Sequence, residues 1–232
     1  MKIAIMQPYF FPYLGYFQMF NAVDKFVLLD DVNFIVRGYI NRNSILLNGA
    51  AYRFSIPLEK ASQNKLINET KLNFQEKDKQ DFLKTIQFAY KKAPYYDAFY
   101  PVLEDIVNNP EIDLTLFLKY SFEKIKAYLG LNTEILLSSK IEKDNSLRAQ
   151  DRIIALNKAL GATMYINAIG GQELYNRNDF QKENIELKFI KMDKVEYKQF
   201  KNEFVANLSM IDVLMFNSVD DTKHLLNKYE LI

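Results

Sequence analysis

Gln7, Tyr16, the adjacent acids Asp30 and Asp31, and the polar run Arg37, Asn41, Arg42 and Asn43 are the residues of this 232-residue chain whose types and spacing could do chemistry. A carboxylate at a strand end can take a proton from an attacking amine, or hold a divalent ion through its oxygens. Adjacent strand residues point to opposite faces, so one member of the Asp30-Asp31 pair is expected to enter a site unless the strand has already ended. The competing role for either acid is turn capping. The guanidinium forks of Arg37 and Arg42 suit a diphosphate, such as that of a nucleotide-linked sugar or a carrier lipid. Tyr16 is expected to bring a phenol to substrate, with Tyr9 at the same rim, and Gly15 to admit a ligand close to the backbone. Asn167, Gly170 and Gly171 follow a predicted strand, where a turn can present amides to an anion.

The elements that must hold these residues read as an alternation. Lys2–Met6 is an apolar run that stops at Gln7-Pro8; an aromatic loop leads to a helix opening at Tyr13–Phe17, and a second apolar run at Phe26–Leu29 ends on the two acids. In open α/β sheets ligands bind outside the carboxyl ends of such strands. Gln7, Asp30 and Arg42 are therefore expected to converge on one concavity there. Asn48-Gly49 between Asn43–Leu47 and Tyr52–Pro57 is a strong hairpin signal, and residues 64–75 read as a polar strand or loop. Helices are predicted over 76–92 (stopped by Ala93-Pro94), 97–108 and 113–129. Strands at Thr133–Leu137, Thr163–Asn167 and Leu187–Ile190 then alternate with a helix at Ser146–Leu160 and a short one at 172–176. Asp151 and Arg152 read as surface or lobe contacts, and Ser209 with Asp212 as a capping box. Strands separated by helices imply a mostly parallel sheet.

Composition narrows the chemistry. The formal net charge of +1 gives no electrostatic argument for nucleic acid or an anionic membrane as main partner. No apolar stretch approaches the roughly twenty residues that span a bilayer, and the start lacks a signal-peptide pattern, so a cytoplasmic location is expected. Zero cysteines exclude disulfides, thiolate metal sites and a cysteine nucleophile. The single histidine, His224, lies in a polar helical tail, which argues against histidine-based zinc sites and a serine-histidine-aspartate triad. A glycine-rich phosphate loop is absent. Two acids make a weak divalent-metal signal, and no structural metal is predicted.

QPYFFPYLGYF, LLDDVNFIVRGYINRNSI, KKAPYYDAFYP, YINAIGGQELYN and LSMIDVLMFN occur in an order and at a spacing that resembles the WbqC-like protein family over essentially the whole chain. Members are typically encoded with enzymes that build O-antigens and other bacterial cell-surface polysaccharides. The resemblance therefore implies a sugar-modifying role, most directly acylation or aminoacylation of an amino sugar. The opening is also similar to that of nucleotidyltransferases and pantothenate-synthetase-type ligases, whose H-x-G-H motif grips ATP phosphates. Here Tyr13-Leu14-Gly15-Tyr16 keeps the glycine but replaces both histidines with tyrosine, which carries no positive charge near neutral pH. Leu137-Ser138-Ser139-Lys140 is a faint echo of the lysine-serine signature of those enzymes.

The expected fold is α/β, with a mostly parallel sheet of Rossmann-like, nucleotidyltransferase-like type, a β-hairpin, and a helical lobe at about 76–130 in a single domain over 1–232. The expected function is a transferase that modifies the amino group of a nucleotide-linked or lipid-linked amino sugar. Its donor would be an already activated acyl or aminoacyl group; an aminoacyl-tRNA donor stays open, and no cofactor is otherwise called for. Asp30 or Asp31 would orient or deprotonate the amine. Two alternatives stand beside it: an ATP-dependent ligase or nucleotidyltransferase, and a non-catalytic binding or assembly factor of the same pathway.

Overall fold

The computed structural model describes residues 1–201 and 203–232. Strand β1 (Lys2–Met6) leads through the aromatic loop to α1 (Leu14–Asn21) and β2 (Lys25–Leu28). A hairpin of β3 (Arg42–Leu47) and β4 (Ala50–Ser55) and a small ribbon of β5 (Leu58–Glu59) and β6 (Lys71–Leu72) follow. Helices α2 (Glu76–Tyr90), α3 (Tyr96–Asn108) and α4 (Leu114–Leu129) precede β7 (Glu134–Leu137). The chain then runs through α5 (Ala149–Ala159), β8 (Met164–Ala168), α6 (Arg177–Lys182), β9 (Glu186–Met192), α7 (Met210–Phe216), α8 (Val219–Leu226) and β10 (Tyr229–Leu231).

Six strands form one sheet in the order β10-β9-β8-β1-β2-β7, parallel throughout except for β10 at the edge. From β1 the chain moves outward through β2 to β7, then returns to β8 on the other side of β1, so the direction of winding reverses between β1 and β8. Alternate strand residues go to opposite faces. Ala4, Phe26, Leu28 and Ile166 meet the residues of α1, α4 and α8; Ile3, Ile5, Val27 and Leu187 meet Ile153 and Leu156 of α5 and Phe180 of α6. Both faces are apolar because both are covered, as parallel strands require.

Helix α1 is apolar on every side and buried along Leu14–Phe20. Phe122 of α4 lies over it, with ring centroids 5.5 Å from Tyr16 and 6.0 Å from Phe20. The amide of Gln18, the polar exception, donates at 2.9 Å to the carbonyls of Leu225 and Lys228 and fastens α1 to the end of the chain. Helices α2 to α4 share this core: Phe82 and Phe117 pack against Phe10 of the opening loop at 6.2 and 5.7 Å.

Asn48 and Gly49 take φ of 52° and 78°, the left-handed pair that a type I′ hairpin turn needs. Residues 64–75, expected as a polar strand or loop, are loop with a single 3₁₀ turn (Ile67–Glu69) and the short β6. Two predicted segments differ from expectation. Helix α5 begins at Ala149 rather than Ser146, because Asp144 accepts the Ser146 amide and closes a turn there. The residues after β8 form a 3₁₀ stretch, Ile169–Leu174, with α6 behind it. Among the described residues, no helix is long and apolar enough to cross a membrane.

Candidate functional site

β2 ends at Leu28, so Asp30 and Asp31 lie beyond the pleat and the opposite-faces rule no longer separates them. Both turn toward the end of β7. Asp30, 1% exposed, accepts from the Ser139 amide at 2.9 Å and its hydroxyl at 2.6 Å. Asp31 receives Lys143 Nζ at 2.7 Å and Arg152 Nη2 at 3.1 Å on the same oxygen, Oδ2. Burial pushes the Asp31 carboxyl up, but the Lys143 ammonium and the Arg152 guanidinium bonded to it outweigh that and hold it below the usual carboxylate range. Asp31 is therefore ionised at neutral pH and a weak base. Its other oxygen, Oδ1, is buried without a partner among the described residues, as are Arg152 Nε and Ser138 Oγ.

Beside this cluster lies an open hollow of about 520 Å³, lined by Asp31, Asn33, Asn68, Ser139, Arg148 and Arg152 among others. Arg148 is the N-cap of α5 and Arg152 lies one turn on, so both guanidiniums sit at the amino end of that helix. The helix dipole adds positive charge at the same end. Two guanidiniums against one carboxylate make the lining net cationic, which suits a phosphate or diphosphate.

A second hollow, of about 350 Å³, is lined by Tyr9, Pro12, Tyr13, Tyr39, Asn43 and Asn207. It belongs to the loop after β1, which is held by three carbonyls. Phe11 O accepts from Asn43 Nδ2 at 2.7 Å and Ser209 Oγ at 2.9 Å, Pro12 O accepts from the Met210 amide at 2.9 Å, and Ile40 O accepts from the Phe10 amide at 3.0 Å. The Tyr9 ring centroid is 5.6 Å from that of Tyr16 and 6.1 Å from that of Tyr39. Burial, then the neighbouring phenols of Tyr13 and Tyr39, push the Tyr9 hydroxyl pKa up.

The expected single concavity is not what the structure holds. Among the described residues, none of the principal hollows is lined by Gln7, Asp30 and Arg42 together. Tyr9 and Asn43 line the aromatic hollow, Asp31 the cationic one. Tyr16 does not reach a rim: it is fully buried, and its hydroxyl donates to the Gln7 carbonyl at 2.8 Å. The Gln7 amide oxygen is buried and unpartnered among the described residues. Gly15 admits no ligand to its backbone, because the Tyr13 ring fills that space, 2.5 Å from where a Cβ would stand. Arg42 Nε donates to the Gly38 carbonyl at 2.7 Å and Asn41 Nδ2 to Ile56 O at 2.9 Å, so both staple loops. Arg37 stands exposed in a left-handed conformation, φ 64°. Asn167 is buried and accepts the Ala168 amide at 2.7 Å; Gly171 packs against it, and Gly170 faces open space. Lys91 and Lys92 border a groove between the hairpin and α2 that contains none of the strand-end residues. Asp212 is not a capping-box acid: it is buried and accepts from Tyr90, Tyr197 and Gln199 at 2.7 Å each.

Of the arginines that line the cationic hollow, Arg148 was missed in the sequence, and Arg152, expected as a surface or lobe contact, is instead buried because it pairs with Asp31. Their signal is the spacing of Arg148 and Arg152, four apart at the start of a helix that follows a strand, which places both on one face at its amino end. Among the described residues, no three His, Cys, Asp or Glu side chains are grouped to hold a metal.

Fold and hollows together define an α/β protein with a mostly parallel six-stranded sheet and recesses built by the loops beyond its strand ends. The WbqC-like protein family matches residues 7–224, and the chain belongs to that family. It is also similar to the Mycobacterium tuberculosis protein named "Uncharacterized protein Rv1507c", at 25% identity over 219 residues, 93% of each chain. No solved structure matches it.

Proposed function

We propose that the protein is a transferase of surface-polysaccharide synthesis, which modifies the amino group of an amino sugar carried on a nucleotide or lipid diphosphate. The observation that carries this is the pair Arg148 and Arg152 at the amino end of α5, lining a hollow with the amides of Asn33 and Asn68. Arg148, whose Nη1 is held by the Asn145 and Leu147 carbonyls, and Arg152 take the diphosphate through their remaining N–H groups, and the Asn68 amide takes a sugar hydroxyl. The family's association with polysaccharide synthesis supports the pathway. The strand order, reversing between β1 and β8, is that of doubly wound nucleotide-binding sheets and supports a Rossmann-like reading.

An amine attacking an activated acyl group forms the C–N bond as the acyl–leaving-group bond breaks, and the amine proton departs with the leaving group. No protein nucleophile is needed; positioning carries most of the work. Asp31 serves here as a positioning residue, because its carboxylate is committed to Lys143 and Arg152 and is held too acidic to be an effective base. That commitment, with that of Asp30 to Ser139, favours a second reading: a non-catalytic sugar-phosphate-binding factor. A ligase that activates its substrate with ATP has less support, since Tyr13 covers Gly15 where phosphate would approach.

The deciding experiment is the chemical structure of the surface glycan with and without the gene, and with Arg148→Ala in its place. Loss of one N-acyl or N-aminoacyl substituent in both supports the transferase. Loss of the whole repeat supports the binding factor, and an unchanged glycan refutes both.

A further inference from the structure

The hollow between Tyr9, Tyr13 and Tyr39 is built in a way that its neighbours do not explain. Tyr39 is 57% exposed and Tyr13 37% exposed, while the loops that carry them are fixed from beneath. Tyr9 packs on the buried Tyr16, the Phe10 amide is tied to the Ile40 carbonyl, and Arg42 holds Gly38. Asn43 has spent its amide on the Phe11 carbonyl and its oxygen on the Ser44 amide, so it is a floor and not a contact for ligand. Aromatic surface held rigidly at a rim is the feature that lets stacking contacts form with little ordering cost.

The lining selects the ligand. It contains no Lys, Arg, Asp or Glu, so it has nothing to neutralise a phosphate or carboxylate. Among the described residues the hydroxyls of Tyr9, Tyr13 and Tyr39 make no hydrogen bond. Phenols offer a polarisable face and a tip that both donates and accepts. A volume of about 350 Å³ is at the small end of ligand pockets, too small to enclose a nucleotide-linked sugar.

We infer that this hollow is a binding site for an uncharged pyranose ring, which lays its C–H face on the phenol rings and shares hydrogen bonds with their hydroxyls and the Asn207 amide. The site is distinct from the arginine-lined hollow, with Arg148 and Arg152 outside it. It adds to the transferase reading without resting on it: a transferase whose acceptor binds elsewhere and a pure glycan binder are equally compatible with it.

The test is a titration of the full-length ¹⁵N-labelled protein with methyl glycosides of glucose, galactose and N-acetylglucosamine, followed by amide shifts, with tetramethylammonium as a rival probe. At least one sugar is expected to shift residues 9–16, 38–43 and 207 in the millimolar range. Tyr39→Ala is expected to weaken that binding about tenfold at an unchanged melting temperature, and Tyr39→Phe to keep most of it. No shift with any sugar, shifts that survive Tyr39→Ala, or shifts with tetramethylammonium alone each overturn the inference. Arg148→Ala separates the two proposals, since it leaves this titration unchanged while removing diphosphate binding.

Discussion

Replacing Asp31 with asparagine removes one negative charge from a place where two cations depend on it. Lys143 has a side chain 1% exposed and Arg152 one 9% exposed, and both bond the same carboxylate oxygen, at 2.7 and 3.1 Å. What remains for Lys143 is a pair of carbonyls, Ser138 at 2.5 Å and Ile141 at 3.4 Å. Breaking a buried pair by removing one partner costs about 3–5 kcal/mol. Asparagine preserves the shape and one acceptor, so the lower end applies, about 3 kcal/mol. In a chain of this size that corresponds to a fall of roughly 6–12 °C in melting temperature. Urea and thermal unfolding followed by circular dichroism at neutral pH measure both. The pH dependence carries a sign. Asp31 is held below its ordinary value in the folded state, so its contribution is fully present above the unfolded value of about 3.9 and is lost as pH falls through the folded value. The gap between wild type and Asp31→Asn is therefore constant down to about pH 5 and closes in stronger acid. Adding Lys143→Met to Asp31→Asn removes one stranded cation and is expected to recover part of the loss. A loss under about 1 kcal/mol, or a gap that widens in acid, refutes the electrostatic account.

Three further outcomes follow from other contacts. Tyr90→Phe deletes the hydroxyl that accepts the Leu46 amide at 2.8 Å and donates to Asp212 at 2.7 Å; the buried amide is orphaned while the carboxylate keeps Tyr197 and Gln199, and chemical denaturation is expected to show a loss of about 2 kcal/mol. Asp212 has the opposite sign from Asp31: burial raises its pKa against the hydrogen bonds from Tyr197, Tyr90 and Gln199, so its contribution is present below about pH 3.9 and is lost as pH rises through the folded value. Asp212→Asn is thus expected to flatten the decline of stability above that pH in a series of denaturation curves, and an unaltered slope counts against it. Gly15→Ala places a methyl 2.5 Å from the edge of the partly exposed Tyr13 ring, which can swing away. The expected result is a small stability change, under about 1 kcal/mol, with loss of pyranose binding in the amide-shift titration.

Much of the fold was legible because it rests on local rules. Apolar runs marked the covered parallel strands, Asn48-Gly49 marked the hairpin, and Ala93-Pro94 marked the stop of α2. The site was less legible because polar side chains declare their type in the sequence but not their partners. Arg42 lies just before a predicted strand and Arg152 in the middle of a predicted helix, and neither position names a partner. One spends its Nε on a carbonyl four residues back, and the other meets a carboxylate 121 positions away. Tyr16 failed as a candidate for a related reason: on a helix buried all round, a phenol finds its partner in the backbone and never reaches solvent.

The two hollows differ in charge because of how the loops behind them are held. Beyond β1 the groups needing partners are carbonyls, those of Phe11 and Pro12, and they are met by an asparagine amide, a serine hydroxyl and a backbone N–H. Neutral donors suffice for neutral acceptors, so no cation is drawn in and the recess stays aromatic. Beyond β2 two adjacent carboxylates are buried, and a buried charge persists only when it is paired. Asp30 is satisfied by Ser139, but Asp31 draws in Lys143 and Arg152, and the turn that brings Arg152 inward also sets Arg148 at the mouth of the same helix. The Asp30-Asp31 pair was read from the sequence as chemical machinery. Its physical consequence is to recruit the positive charge that lines the hollow.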